Sequence, residues 1–284
     1  MNAVNYEAIR QQNIEEYGKG TRHLAYLSDL YENRTHFLYE LLQNAEDALA
    51  KRENQGEVGY VEIQLYNDRL ELRHNGKPFD ELDVFGICGI GEGTKAGDYS
   101  EIGKFGIGFK SVYAYTLAPR IHSNGEHFEV RRFVEPHALS ENATPTDIKA
   151  GETCIVLPFD PPAEEKSFRA YISPRQAVDE IGEALKRLDL RTLLFLRRID
   201  EVRWTLQDGL QGVFRRKTTP LEGNSTARYV EVTDWKTTET WLLFQRDAQV
   251  TDEGKSHKVA VEIGYLIHDG KVICASDTEL VVSF

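Results

Sequence analysis

Apolar residues recur at helical spacing across residues 35–51. Phe37, Leu38, Leu41, Leu42, Ala45 and Leu49 form one stripe, the pattern of a helix that buries one face. Its polar positions are equally ordered. Glu40, Asn44 and Asp47 fall at i, i+4 and i+7, so at about 100° per residue they share a narrow face opposite Leu42 and Leu49. Residues 5–32 read as largely helical, with Leu24, Leu27 and Leu30 at core spacing. The period then changes to two. Val61, Ile63 and Leu65 alternate, Asn67-Asp68 turns the chain, and Leu70 and Leu72 continue on a second strand. That strand runs into His74-Asn75-Gly76-Lys77-Pro78-Phe79, where Asn-Gly marks a turn and Pro78 fixes the exit.

Residues 80–100 hold five glycines and little periodicity, which predicts a mobile lid or a plain surface loop. Residues 101–113 read EIGKFGIGFKSVY, with glycines at Gly103, Gly106 and Gly108 and a helical continuation from Phe109. A hairpin is predicted over 119–134, turning at Asn124-Gly125, then a polar excursion over 135–150. Residues 153–159 read as a buried strand, 174–188 as a helix with Pro174 in its first turn, and Val202, Trp204 and Leu206 as a further strand. From about Asp208 short strands and turns follow, with turns near Gly223-Asn224, Gly254 and Asp269-Gly270. The run 280–284 is strand-like, and the chain reads as a fragment of a longer protein.

Composition narrows the function classes. The formal net charge of 284 residues is −12, which argues against unaided binding to nucleic acid or anionic membrane. No apolar run approaches the roughly 18 residues of a membrane span, and the first residues carry no apolar signal core. Cys88, Cys154 and Cys274 lack metal-type spacing and read as reduced thiols of a cytoplasmic protein.

The chemistry lies in the combination of motifs. Glycine lets backbone approach a ligand closely, and consecutive N–H groups at a helix start cradle an anion. The loop at 103–108 therefore reads as a phosphate loop, or, taken alone, as a flexible turn. The Glu40, Asn44, Asp47 face can polarise water and hold magnesium, or, taken alone, simply face solvent.

ELLQNAEDA at 40–48, HNGKPF at 74–79 and IGKFGIGFKSVY at 102–113 together resemble the GHKL superfamily of ATPases. The likeness is strongest to chaperone-type and sacsin-type ATP-binding domains, and it covers roughly residues 20–207. It implies an α+β fold, a two-layer sandwich whose mixed sheet is covered on one face by helices. That domain would span residues 1–207, with 1–20 as an N-terminal strap, followed by a β-rich segment over 208–284 that begins a second domain.

By position, the resemblance makes Glu40 the general base, Asn44 the magnesium ligand and Asp47 the supporting acid. Gly103, Lys104, Phe105, Gly106, Ile107, Gly108 and Phe109 become the phosphate loop. Thr153 becomes the hydroxyl that reaches adenine, and Lys95 the nearest candidate for a lid lysine. His74 stands where the family usually has the Asp that reads the adenine amino group, with Asn75 and Gly76 beside it. Gly76 matches the first glycine of that motif, and Pro78 replaces the second.

The implied activity is ATP hydrolysis with Mg2+, driving conformational switching in a larger chaperone-like, repair or defence protein. The alternative is a nucleotide sensor that binds without hydrolysis. A histidine kinase and a degenerate scaffold fit less well, since no helix with a phosphoacceptor His precedes the motifs and Glu40, Asn44 and the loop are intact. The implied partners are ATP, further domains of the same chain, and a second copy in an ATP-dependent dimer.

Overall fold

Helix α2 (Phe37–Ala50) buries Phe37, Leu38, Leu41, Leu42, Ala45 and Leu49, the six residues of the apolar stripe. The structure is a computed structural model that describes residues 4–17, 34–89, 108–140, 145, 147–160, 172–252 and 255–273. Around α2, in chain order, are α1 (Tyr6–Tyr17), β1 (Tyr60–Leu65), β2 (Arg69–His74), α3 (Glu81–Cys88), β3 (Arg120–Ser123), β4 (Glu126–Arg131), β5 (Glu135–Ala138), β6 (Thr153–Pro158) and α4 (Pro174–Arg187). Next come β7 (Glu201–Thr205), β8 (Gln211–Leu221), β9 (Asn224–Thr233), β10 (Thr238–Asp252), β11 (Lys255–His268) and β12 (Lys271–Val272). Short 3-10 turns occupy Arg34–His36, Gly108–Ala114 and Leu190–Leu193.

The architecture is α+β, with few helices on a large mixed sheet. Among the described residues the strands run β12-β11-β10-β9-β8-β7-β1-β2-β6-β3-β4-β5. The β1–β7 pair is parallel and the other pairs are antiparallel. One face of the sheet is apolar: Val61, Ile63 and Leu65 stand opposite His74, Leu72 and Leu70. On the same face lie Ile155 and Leu157 of β6, Ile121 of β3 and Val202 and Trp204 of β7. These residues share one core with α2 and with Ile181 and Leu185 of α4.

Three expectations are corrected. Residues 81–88 form helix α3 rather than loop. Asp80 accepts from the Asp83 N–H at 2.9 Å and the Asp83 carboxylate accepts from the Asp80 N–H at 3.0 Å. This reciprocal capping offsets the cost of Gly86 within the helix. Residues 135–138 form a strand on β4, reached through a turn in which Arg132 and Phe133 both take positive φ. The β-rich portion is built from long strands, 15 residues in β10 and 14 in β11, and its hydrogen bonding continues across residue 208 through the β7–β8 pair. The predicted turns at Asn124-Gly125 and Asp269-Gly270 are present, with positive φ at all four residues.

One carboxylate joins α2 to the second half of the sheet. Glu46 accepts hydrogen bonds from the backbone N–H groups of Arg197, Arg198 and Ile199 at 2.6–3.0 Å. Two strands on, Arg216 donates to the Leu196 carbonyl and pairs with Asp200 at 3.1 Å, while Asp200 accepts from the Gly59 N–H at 3.0 Å. Glu46→Ala is expected to cost about 1–2 kcal/mol, because three oriented amides lose their charged acceptor. Urea unfolding measures this. An unchanged midpoint would mean that water replaces the carboxylate at no cost.

Candidate functional site

Helix α2 meets backbone rather than side chain at two glycines. A Cβ on Gly76 would stand 2.7 Å from Ala48 Cβ and 2.8 Å from the α2 main chain, and the adjacent Lys77 N–H donates to the Ala48 carbonyl at 2.8 Å. Only a residue without a side chain lets the end of β2 pass this close to the helix. At the other end, a Cβ on Gly108 would stand 2.2 Å from Glu40 Oε2. The helix thus presents Glu40 to the last glycine of the loop motif and its Ala48 turn to the strand end that carries His74.

Glu40 is largely buried, and its other oxygen lies 3.2 Å from His36 Nε2, one helical turn earlier. Asn44 is half-buried, and among the described residues its amide makes no hydrogen bond to protein. A free amide oxygen beside a carboxylate suits a hard cation that keeps water and takes its remaining ligands from phosphate. No group of three or more His, Cys, Asp or Glu side chains among the described residues is placed to hold a metal by itself. Asp47 sits one turn beyond Asn44 on the same helix.

At the strand end, His74 and Thr153 are direct partners across β2–β6, and Thr153 and Ser123 are direct partners across β6–β3. Thr153 is fully buried. Its hydroxyl bonds the Ser123 hydroxyl at 2.7 Å, which in turn accepts from the Phe79 N–H at 3.0 Å. His74 is 3% exposed. Its Nδ1 accepts from the Gly76 N–H at 3.2 Å, and burial pushes its pKa down to about 4. Asn75 is engaged on the other side of the turn, where its amide accepts from the Tyr60 N–H at 3.0 Å and donates to the Val58 carbonyl at 2.9 Å.

Past Gly108, Phe109 and Lys110 are buried. The Lys110 ammonium donates to the Ile87 carbonyl at 2.6 Å and to the Phe133 carbonyl, so it ties the Gly108 turn to the end of α3. Burial pulls its pKa down to about 8. Of the predicted site residues, Glu40 and Gly108 meet, and His74, Gly76 and Thr153 cluster beside the far end of α2. Lys95, Gly103, Lys104, Phe105, Gly106 and Ile107 lie outside the described residues. His36 and Ser123 were not singled out from sequence. The i, i+4 spacing of His36 and Glu40 was a usable signal, whereas Ser123 is brought to Thr153 by strand pairing alone.

Residues 66–139 match the Sacsin domain model. The chain is 30% identical over 244 residues to Protein NO VEIN of Arabidopsis thaliana, covering 79% of this chain and 8% of that protein. It is 32% identical over 134 residues to human sacsin, covering 42% of this chain and 3% of sacsin. It is 30% identical over 132 residues to an endoplasmin homolog of Hordeum vulgare, covering 38% of this chain and 16% of that protein. The chain therefore spans a small part of each of these relatives. Among the described residues no helix is long and apolar enough to cross a membrane.

The buried histidines generate a pH prediction. His74 charges only near pH 4 in the folded chain, whereas an unfolded histidine takes up its proton near 6.5. The unfolded state therefore binds more protons between pH 6.5 and 4, and stability falls as pH drops through that window. His74 alone should account for a loss of about 2 kcal/mol between pH 7 and pH 5. Urea unfolding at both pH values, compared with His74→Asn, checks this. An equal pH dependence in the variant would refute it.

Proposed function

We propose that this chain is a nucleotide-binding, magnesium-dependent ATPase module of the GHKL kind, hydrolysing ATP to ADP and phosphate to switch the conformation of a larger protein. The observation that carries the reading is the contact between Glu40 and Gly108. It sets a carboxylate against the end of the glycine motif, where the γ-phosphate of a nucleotide held by that motif would lie. The partial similarity to sacsin and endoplasmin supports a chaperone-like module. In this reading the Bergerat-type sandwich comprises the elements up to β7, and β8–β12 begin the portion that transmits the switch.

The residues divide the chemistry among them. The Asn44 amide oxygen, with phosphate oxygens and water, would hold Mg2+, which neutralises charge on the phosphates. Glu40, oriented through its Oε1 by His36, accepts a proton from the attacking water. Backbone N–H groups of the loop hold the phosphates. His74, Thr153 and Ser123 form the wall against which the base lies. A cation for the developing γ-phosphate charge would come from another domain or a second copy, which gives ATP a route to favour dimerisation through its differential affinity for the closed state.

Calorimetry with Mg2+ and a non-hydrolysable ATP analogue tests binding, and the absence of heat at millimolar ligand would sink the proposal. Asn44→Ala is expected to abolish magnesium-dependent binding. Glu40→Ala is expected to keep binding and to lower phosphate release by at least about a hundredfold, the usual share of general-base catalysis. If Glu40→Ala loses binding instead, Glu40 is a structural acid.

A further inference from the structure

We propose that the open edge of β11 is an interface for a second copy of this chain, which pairs with it antiparallel about a two-fold axis at Ala260. This interface is independent of the nucleotide site. β11 pairs with β10 without a register shift from Lys255 to Ile267. On its other side β12 covers only Ile267 and His268, and the Ile273 N–H donates to the Leu266 carbonyl at 2.9 Å. In an antiparallel strand the N–H and C=O of one residue point to the same side, and the sides alternate along the chain. The bond at Leu266 therefore sets the even-numbered residues outward. Among the described residues, the backbone groups of Ser256, Lys258, Ala260, Glu262 and Gly264 have no partner on that side.

Such an edge is a template for another strand unless proline, a bulge, short length or a row of like charge guards it. β11 runs for 14 residues without proline and has no bulge against β10. The sheet face beside the edge is apolar and open. Val261, Ile263 and Tyr265 are 46%, 54% and 43% exposed. Phe244 stands across from Ile263, with its ring 6.0 Å from that of Tyr265. Contiguous exposed apolar side chains mark a contact surface, and a strand laid beside β11 would cover one flank of this row.

Two charges on the edge select the occupant. Outward backbone groups must meet, so even residues stand opposite even residues. With the axis at Ala260, Lys258 stands opposite Glu262 of the second copy, Glu262 opposite its Lys258, and Val259 opposite its Val261. An axis at Lys258 or at Glu262 would instead set like charges face to face. The edge is thus complementary to itself, which a two-fold interface requires. The Lys258 side chain is 72% exposed, and its pair with Asp247 at 2.6 Å is a surface pair of small worth, so the ammonium is available to the second copy. Glu262 is held in place by Arg197 and Arg228.

Sedimentation of the intact chain without nucleotide, from micromolar to submillimolar concentration, is the test. A dimer is expected. Lys258→Glu is expected to raise its dissociation constant about tenfold, because two cross-strand attractions become repulsions. Cross-linking reads the register separately, in a chain carrying Cys274→Ser. Ala260→Cys is expected to oxidise to a covalent dimer, since opposed Cα atoms of a hydrogen-bonded pair lie about 5.5 Å apart, within disulfide reach. Lys258→Cys would lie about 14 Å from its counterpart and is expected to stay uncrosslinked. A monomer throughout would assign the edge to another occupant, such as residues 274–284 of the same chain, and would overturn the inference. A dimer that forms only with nucleotide, or one in which Lys258→Cys cross-links as readily as Ala260→Cys, would overturn it as well.

Discussion

The contact of helix α2 with bare backbone at Gly76 and Gly108 is the constraint on which the site depends. Side-chain packing holds most helices about 8–10 Å from their neighbours. Here the Cβ positions of two glycines are already filled, by Ala48 at one end and the Glu40 carboxylate at the other. The helix main chain is met directly at Gly76, and its Glu40 side chain reaches the backbone at Gly108. Its polar face is therefore registered against the strand end and the loop end together, and a shift of either glycine would move Glu40 and His74 relative to each other.

The same helix is anchored on a third side by charge. Glu46 gathers the amides of residues 197–199, and the Arg197 side chain reaches Glu262 of β11 at 2.7 Å, where Arg228 of β9 also pairs. The carboxylate face and the long β10–β11 ribbon are thus connected through one loop.

The Gly76 N–H donates to Nδ1 of His74 and holds the ring of this buried residue at the end of β2. The amide that steadies the ring also decides which nitrogen carries the proton.

Much of this was legible in the chain itself. The period-3.6 stripe from Phe37 to Leu49, the alternation from Val61 to Leu72 and the Asn-Gly turn at 124–125 are local signals, and local geometry honours them because each buries one face or needs one backbone conformation. The i, i+4, i+7 set Glu40, Asn44 and Asp47 was readable for the same reason. Helix α3 was missed because its apolar pattern is weak and its stability comes from Asp80, Asp83 and Lys77 bonding one another. Strand β5 was missed because it needs the partner β4 and a turn with positive φ at Arg132 and Phe133, which no residue preference announces. The pairing of His74 with Thr153 and of Thr153 with Ser123 and the approach of Gly108 to Glu40 rest on contacts that no local pattern encodes. Their placement is decided by strand register and burial, which act through space, and only the tertiary structure could supply them.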